Sequence, residues 1–366
     1  MNVRMDLAYL EMAYGLAEKA RGRTSPNPCV GAVIVKDGRI AGFGYHEEAG
    51  KPHAEILALA RAGRRAKGAT IFLTLEPCVH WGRTPPCADS LVRAGLKRAV
   101  ISAVDPNPLM NGRGIGALKR AGIEVSVGLL ESKNGKLNEA YLKFITRGVP
   151  FVTLKAAASL DGRIAATTGH SRWISSAATR ESIHLLRGEN DAILVGSGTV
   201  LRDNPRLTVR HSLWAGKRTT RVILDTRLRT PLDARILSSR SRGRVLIFTG
   251  PRAPERKARA LESRGAEVIR VPLSAAGVDL KRVLVELGRR EITSLLVEGG
   301  SRVLTAFIEG KLADKIILTL SPKLIGGKTA LSFLEGEGAA SIKDSVPVKN
   351  VKSFPVGNDR VIEGYF

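Results

Sequence analysis

Residues 52–95 read PHAEILALARAGRRAKGATIFLTLEPCVHWGRTPPCADSLVRAG. The segment contains a helical pattern at 54–63, a short run of mostly apolar residues at 69–75 and a second helical pattern at 87–95. The short length of the middle run predicts a buried strand rather than a helix. Because a strand alternates here with helices, the segment predicts an α/β fold with a largely parallel sheet covered on both faces.

The same alternation continues on both sides of this segment. In the first half, further strands are predicted at 29–35, 39–45, 98–104 and 124–130, with helices near the N-terminus and at 117–123. In the second half, strands are predicted from residue 151 and at 191–199, 221–226, 244–250, 266–273, 294–301 and 315–327, with helices at 179–188 and 278–290. A Gly-Val-Pro sequence at 148–150 separates the two halves, so we predict domains at 1–147 and 151–366.

One histidine, two cysteines and one glutamate carry the chemistry of the opening segment. His53 and Cys87 stand at the starts of predicted helices, and Cys78 follows the predicted strand. This ligand set suits a tetrahedral zinc ion with its fourth position left for water. Glu55, in an H-x-E sequence, is placed to move protons beside the metal, as in zinc-dependent base deaminases. The alternatives are a structural zinc or buried side chains, and Cys29 is either a fourth ligand or a core thiol.

Composition limits the classes of protein that fit this chain. It has 366 residues and three cysteines, so a disulfide framework is not expected. Its apolar runs are strand-sized and no secretory signal is apparent, which predicts a cytoplasmic protein without a membrane segment. The net charge of +24 favours phosphate-bearing partners, either nucleic acid or small metabolites, although the organism's arginine usage explains it equally well.

The cysteine spacing leads to a family resemblance. Eight residues separate Cys78 from Cys87, and LEPCVHWGRTPPC (75–87), together with SPNPCVGAVIV (25–35) and DPNP (105–108), resembles the deaminase half of the bifunctional riboflavin-biosynthesis deaminase–reductases. The resemblance implies a cytidine-deaminase-like α/β/α domain that removes the C2 amine of 2,5-diamino-6-(5-phosphoribosylamino)pyrimidin-4(3H)-one. It also implies substrate contacts by Asn27, His46, His80 and Arg83. Alternatively, Asn27 only forms a turn and His46 is a surface loop histidine.

The second half resembles the reductase domain of the same family, which has a dihydrofolate-reductase-like α/β fold. The matching strings are VTLKAAASLDGRIA (152–165), SRWISS (171–176), LVGSGTVLRDNPRLTVR (194–210), ILDT (223–226) and LLVEGGSRVL (295–304). The resemblance implies NADPH-dependent reduction of the ribosyl group to a ribityl group. In the last string, a strand leads into glycines and then a helical pattern, an arrangement that can hold a pyrophosphate. The dinucleotide fingerprint G-x-G-x-x-G followed by an acidic residue is absent, so NADPH is implied mainly by the resemblance.

The same resemblance assigns roles to individual residues of the second half. It implies cofactor contacts by Ala157, Trp173, Thr199, Asp203, Thr226, Gly300, Ser301, Arg302, Val303, Leu304, Thr305 and Ala306. It implies substrate contacts by Ser171, Arg187, Leu207, Arg210 and Glu298. Lys155 is the candidate catalytic residue, placed to polarise the carbonyl or iminium of the opened ribose. The alternatives are a lysine that extends its ammonium to solvent, a tryptophan in the core and arginines that are merely solvated.

Two further readings of the whole chain stay open. The charge also fits a nucleic-acid base deaminase with an RNA-binding C-terminal domain, although the cysteine spacing and the lack of a basic stripe with interleaved aromatics oppose it. Alternatively, the C-terminal domain is a non-catalytic partner. The favoured prediction is a zinc- and NADPH-dependent enzyme for a phosphorylated pyrimidine, a homo-oligomer without a nucleic-acid partner.

Overall fold

The structure is a computed structural model, and it describes residues 3–80, 86–238 and 243–366. The chain divides into two compact units, Met1–Gly148 and Val149–Phe366. Among the described residues, no helix combines the length and the apolar character needed to cross a bilayer.

The first unit is a five-stranded sheet with helices on both faces. Its elements are α1 (Val3–Glu18), β1 (Gly31–Lys36), β2 (Arg39–Tyr45), α2 (Ala54–Ala62), β3 (Thr70–Leu73), α3 (Cys87–Arg93), β4 (Arg98–Ile101), α4 (Arg113–Arg120), β5 (Glu124–Val127), α5 (Glu131–Leu137) and α6 (Glu139–Arg147). The strand order is β2-β1-β3-β4-β5. Successive residues of β3 face opposite sides: Ile71 and Leu73 pack in the cluster that contains α2, α3 and α4 residues, and Phe72 packs in the cluster that contains α1 residues.

The prediction of a largely parallel sheet is wrong for this unit, because half of its strand pairings are antiparallel. The turn at Asp37-Gly38 folds β2 back onto β1, and β1 also runs antiparallel to β3. Only β3, β4 and β5 are parallel to one another. Because β2 and β3 both run antiparallel to β1, their carboxyl ends point to the same edge of the sheet, where each leads into a loop and then a helix.

The second unit is built on a nine-stranded sheet. Its elements are β6 (Phe151–Ser159), α7 (Ala177–Glu189), β7 (Ala192–Gly196), α8 (Ser197–Asp203), β8 (Thr220–Leu224), β9 (Val245–Thr249), α9 (Glu255–Glu262), β10 (Ala266–Arg270), β11 (Leu273–Ser274), β12 (Gly277–Val278), α10 (Leu280–Gly288), β13 (Ser294–Val297), α11 (Ser301–Glu309), β14 (Lys315–Ser321), β15 (Lys349–Val356) and β16 (Asp359–Tyr365). The strand order is β10-β9-β8-β7-β13-β6-β14-β16-β15, and the first seven strands of this order are parallel.

Several predicted strands of this unit end earlier than expected. The strand predicted at 191–199 ends at Gly196 and gives way to α8, and the strand predicted at 294–301 ends at Val297, ahead of α11. In both cases a glycine supplies the turn from strand to helix. The C-terminal hairpin of β15 and β16 was not predicted, because the exposed edge strand β15 lacks a buried apolar run.

Candidate functional site

The three candidate zinc ligands meet beside the carboxyl end of β3. His53 is the residue that precedes α2, Cys78 follows β3, and Cys87 is the first residue of α3. The His53 Nδ1 atom lies 3.3 Å from Cys87 Sγ and 3.6 Å from Cys78 Sγ, and the three ligand atoms all lie within 4.8 Å of one another. A tetrahedral zinc ion separates its nitrogen and sulfur ligands by about 3.6 Å, so the residues present fit the ion.

Hydrogen bonds within the candidate zinc site favour the thiolate form of Cys78. The Cys87 backbone N–H, at the start of α3, donates to Cys78 Sγ over 3.3 Å. A hydrogen bond from the Cys87 thiol lowers the pKa of the Cys78 thiol against the opposing effect of burial, and His53 adds to the lowering. A thiolate is the form of cysteine that binds a metal. The Cys78 sulfur is therefore prepared for a cation, whereas the hydrogen bond to Cys78 and burial raise the pKa of the Cys87 thiol, so metal binding has to release the Cys87 proton.

Glu55 lies in the first turn of α2, two residues beyond His53, and is 3% exposed. Burial, together with the nearby Cys78 sulfur, raises the pKa of the Glu55 carboxyl to about 7. The position of α2 depends on a glycine in β2: a Cβ atom on Gly44 would lie 2.6 Å from the carbonyl oxygen of Ala54. This close approach of strand and helix fixes the turn that carries both the imidazole and the carboxylate.

The predicted substrate contacts fall into three groups. His46 is 2% exposed, so the alternative of a surface loop histidine is wrong; its Nε2 accepts from the Asn27 amide over 3.1 Å, and its Nδ1–H donates to the Pro52 carbonyl over 3.3 Å. Burial lowers the pKa of His46, which favours this neutral form. His80 is exposed and its Nδ1 lies 3.4 Å from the Met110 sulfur. Arg83 lies outside the described residues.

Cys29 belongs to the core and not to the ligand cluster. It is 6% exposed, packs with Tyr14 and Ala17, and its sulfur lies 3.4 Å from the Thr24 hydroxyl. In the part of the chain that the structure describes, the ligand cluster contains one histidine and two cysteines. Three protein ligands leave one corner of a tetrahedron open, which is the arrangement of a catalytic rather than a structural zinc site.

We expect one zinc ion per chain in purified protein, and less than about one tenth of that in Cys78→Ser and Cys87→Ser variants, because a hydroxyl is a much poorer zinc ligand than a thiolate. Elemental analysis after dialysis measures the stoichiometry. A Cys29→Ser variant is the matched control, and it should retain the full zinc content. Loss of zinc from that control would contradict the assignment of Cys29 to the core.

The second unit has a cleft of ≈ 540 Å³ around Lys155. Lys155 lies on β6 and Glu298 follows β13, and these two strands pair directly through Leu154 and Val297. Arg187, from α7, binds both oxygens of Glu298, with Nε–Oε1 at 2.5 Å and Nη2–Oε2 at 2.9 Å. Burial lowers the pKa of Lys155, with Glu298 acting in the opposite direction. Burial alone would raise the pKa of Glu298, but Arg187 and Lys155 hold it at about 2.

The arginines predicted to bind phosphate differ in their surroundings. Glu298 takes two of the five N–H donors of Arg187, and Nη1 donates to the Thr208 carbonyl over 3.3 Å, so a phosphate would bind the N–H groups that remain. Arg210 lines the same cleft and hydrogen-bonds His184 over 3.2 Å. Burial, Arg187, Arg206 and Arg235 all lower the pKa of Arg210. An anion at this end of the cleft would relieve the repulsion among these cations.

Leu207 does not share the environment of the other predicted substrate residues. Its side chain is 5% exposed and packs in the core with Val200 and Ile236. Ser171, Arg187, Arg210 and Glu298 line the Lys155 cleft, and Leu207 is absent from that lining. Any contact of Leu207 with a ligand in this cleft would have to come from its backbone.

A second cleft, of ≈ 550 Å³, adjoins the first and shares Ile164, Ser171 and Asp203 with it. The predicted cofactor residues that line this cleft are Thr199, Asp203, Thr226, Gly300, Ser301, Arg302, Val303 and Ala306. Ala157, Trp173 and Leu304 line the Lys155 cleft instead. Thr305 lines neither, and its hydroxyl donates to the Glu335 carbonyl over 3.1 Å.

The start of α11 has the form of an anion cradle. A Cβ atom on Gly299 would lie 2.6 Å from Val303 Cβ, which excludes larger residues there. At Gly300 the closest neighbour of such an atom would be the Thr199 hydroxyl at 3.8 Å, so a side chain there would enter the cleft and not the protein. Arg229 also lines this cleft and donates to the Ser197 hydroxyl over 3.1 Å. Glycine, a helix N-terminus and arginine together suit a dinucleotide phosphate.

Two residues of the Lys155 cleft were missed by the sequence reasoning. The Arg180 guanidinium lies 4.5 Å from the centre of the Trp173 ring, and His184 bonds Arg210. With Arg187, they repeat at i, i+4 and i+7 on α7, so they share one face of the helix. This spacing is the sequence feature from which a shared face of Arg180, His184 and Arg187 could have been predicted.

Comparison with known proteins decides the family. The model of the RibD C-terminal domain matches residues 150–362, and the model of the cytidine and deoxycytidylate deaminase zinc-binding region matches residues 3–103. The riboflavin biosynthesis protein RibD of Aquifex aeolicus is 45% identical over 358 residues, which are 98% of each chain. The chain belongs to the RibD family. The predicted resemblance is therefore confirmed.

Solved RibD structures agree in fold over the full length. Form 1 of Acinetobacter baumannii RibD has a TM-score of 0.89 at 36% identity and covers 100% of this chain and 99% of its own. The diaminohydroxyphosphoribosylaminopyrimidine deaminase/5-amino-6-(5-phosphoribosylamino)uracil reductase of Thermotoga maritima has a TM-score of 0.86 at 36% identity and covers 99% of both chains.

These matches confirm the predicted fold class and the predicted enzyme class. RibD proteins combine a deaminase with a reductase in riboflavin biosynthesis, and this member of the family is a bifunctional enzyme of that kind. The predicted zinc is confirmed by the zinc-binding family match together with the ligand geometry, and NADPH agrees with the reductase family. The relatives do not favour the nucleic-acid alternative.

Proposed function

We propose that residues 1–147 deaminate 2,5-diamino-6-(5-phosphoribosylamino)pyrimidin-4(3H)-one and that residues 151–366 reduce the product to 5-amino-6-(5-phosphoribitylamino)uracil. Water replaces the C2 amine in the first reaction, and ammonia leaves. In the second, the bond between the ribosyl C1′ and the ring oxygen breaks, C1′ accepts a hydride that NADPH supplies, and the released oxygen accepts a proton. The Thermotoga maritima relative is named for a deaminase and a reductase of these two substrates, which supports the proposal.

In the deaminase half, His53, Cys78 and Cys87 would hold zinc, which supplies an activated water at neutral pH. Glu55 is the proton carrier, because it is the buried carboxyl next to His53 and its raised pKa lets it both take and give a proton. It accepts a proton from the attacking water and delivers it to a ring nitrogen, then accepts the remaining hydroxyl proton of the adduct and passes it to the departing amine, which leaves as ammonia. Asn27, oriented by His46, offers an amide to the polar edge of the pyrimidine, with His80 and Arg83 as further contacts.

In the reductase half, the cleft at the start of α11 would hold NADPH, which supplies the hydride. Lys155 faces the same cleft as Ser171 and Glu298, so its ammonium is placed to bind the oxygen or nitrogen at the reacting carbon. Glu298 opposes the lowering of the Lys155 pKa by burial, and Arg187 keeps Glu298 ionised. Arg210 is the phosphate anchor, because it lines the same cleft as Lys155 and Arg187 adds a second positive charge there.

The observation that carries the proposal is the convergence of His53, Cys78 and Cys87 next to the buried Glu55. The test is a coupled assay with the diaminopyrimidine substrate and NADPH, in which ammonia and NADP⁺ are both measured. We expect one ammonia and one NADP⁺ per substrate, with ammonia released first. Ammonia without NADP⁺ would leave the C-terminal unit as a non-catalytic partner.

The remaining parts of the proposal concern partners and location. A homo-oligomer without a nucleic-acid partner in the cytoplasm is consistent with a small phosphorylated substrate, with three cysteines that form no disulfide and with relatives named for a metabolic reaction. Affinity for RNA that falls steeply with added salt would contradict the absence of a nucleic-acid partner.

A further inference from the structure

The Trp173 segment, residues 171–175, lines the Lys155 cleft without being part of a helix or strand. The Trp173 side chain is 64% exposed, so packing against the protein does little to fix it. The backbone carbonyls of such a segment depend on side chains for their hydrogen bonds. Whatever donates to them decides where the indole lies.

Two cations from different elements donate to three consecutive carbonyls of this segment. Lys323, two residues beyond β14, donates from Nζ to the Trp173 carbonyl over 2.7 Å and to the Ile174 carbonyl over 2.9 Å. Arg180, from α7, donates to the Ser175 carbonyl over 2.6 Å. The guanidinium of Arg180 also lies over the indole ring. Side chains from α7 and from the loop after β14 therefore both hold the Trp173 segment.

The loop that carries Lys323 is itself fixed to the end of β6. The Asp161 carboxylate accepts from the backbone N–H groups of Ile325 and Gly326 over 3.1 and 2.7 Å, and the Leu160 N–H donates to the Lys323 carbonyl over 2.8 Å. Because β6 also carries Lys155, the loop that contains Lys323 is attached to the same strand as a residue that lines the cleft. The Lys323 ammonium therefore links the Trp173 segment to the strand that carries Lys155.

We propose that Lys323 is a positioning residue of the reductase site, which holds the Trp173 and Ile174 carbonyls so that the indole packs against the nicotinamide nucleotide. The inference rests on the proposed function, because the contact between Trp173 and the cofactor is part of it. Lys323 acts through the backbone of the Trp173 segment and touches no reacting atom. Its loss affects the binding of NADPH more than the chemical step.

The test compares Lys323→Met with Lys323→Arg and with wild type. We expect Lys323→Met to raise the dissociation constant and the KM for NADPH by about 10-fold, with kcat changed by less than about 3-fold, because two charge-assisted hydrogen bonds are lost. Lys323→Arg should restore most of the affinity, since a guanidinium also reaches two carbonyls. The exposed Lys323 contributes little to the core, so ammonia release by the other unit should not change. Lys349→Met, on the edge strand β15, is the matched control and should bind NADPH as wild type does.

A double-mutant cycle with Trp173→Ala decides whether Lys323 acts through the indole. We expect Lys323→Met to have no further effect on NADPH affinity in the Trp173→Ala background. Additive effects of the two substitutions, or an unchanged dissociation constant in Lys323→Met, would overturn the proposal. Absence of NADPH oxidation in the wild-type enzyme with deaminated substrate is a different outcome, which contradicts the proposed function itself.

Discussion

Glu55→Gln is expected to lower ammonia release by at least about 10³-fold while zinc content and reduction of pre-deaminated substrate stay unchanged. General acid–base catalysis contributes about 10²–10⁴-fold in enzymes, and here one carboxyl serves several successive proton transfers. Glutamine has the same shape and is uncharged, so it fits a position that is 3% exposed without a new cavity or a buried charge. Single-turnover ammonia release measures the effect, with elemental analysis on the same samples.

An exposed glutamate on the same unit provides the control for that experiment. Glu48 lies in the loop ahead of α2 and makes a salt bridge with Lys51, and its side chain is 62% exposed. Glu48→Gln removes the same charge from the same region and should release ammonia at the wild-type rate. If Glu55→Gln kept more than about one tenth of wild-type activity with full zinc content, the proton carrier would have to be another group.

The zinc ligands were predictable from the sequence because each stands at a boundary that the sequence marks. Pro52 precedes His53 at the start of α2, Cys78 follows the apolar run of β3, and Pro86 precedes Cys87 at the start of α3. His53 follows β2, Cys78 and Cys87 follow β3, and both strands run antiparallel to β1, so their carboxyl ends lie at the same edge of the sheet. The positions of these residues in the chain of strands and helices therefore predict that the three ligands lie at one end of the unit. The structure adds the distances between the ligand atoms.

The reductase cleft was much less predictable, because it is assembled by the order of strands in the sheet. Lys155 and Glu298 are neighbours only because β13 inserts between β7 and β6. The sequence contains no signal for that order. The pairing of Arg187 with Glu298 follows from it and could not be predicted from the sequence, whereas the substrate contact of Arg187 stays a prediction.

The contact of Lys323 with the Trp173 segment also depends on strand pairing, between parts of the chain that are still farther apart in sequence. Lys323 reaches the Trp173 segment because β14 pairs with β6 as far as Ser321 and Ser159, which brings the two loops after these strands together. In sequence it is one of 20 lysines with no motif around it that indicates a contact with the tryptophan. A residue that acts on backbone carbonyls leaves no pattern of its own in the chain.

Lys155→Met is expected to lower NADPH oxidation by at least about 100-fold and to leave ammonia release unchanged. Loss of one preorganised donor at a site of developing charge costs an enzyme about 10²–10³-fold in kcat. Methionine is unbranched and nearly as long as lysine, so it occupies the space of the apolar part of the lysine side chain. Glu298 remains paired with Arg187 in the variant, and no buried carboxylate is left without a partner. The measurement is NADPH oxidation with pre-deaminated substrate.

A control substitution at another lysine separates the effect of losing a positive charge from the effect of losing Lys155 itself. Lys349→Met removes a lysine charge from the exposed strand β15 and should oxidise NADPH at the wild-type rate. Together with Glu55→Gln, Lys155→Met then gives two enzymes, each defective in one reaction, and an equimolar mixture should convert the diaminopyrimidine fully to the ribityl product through the released intermediate. If either single substitution abolished both reactions in folded protein, the two centres would not be independent, and the assignment of one reaction to each unit would be wrong.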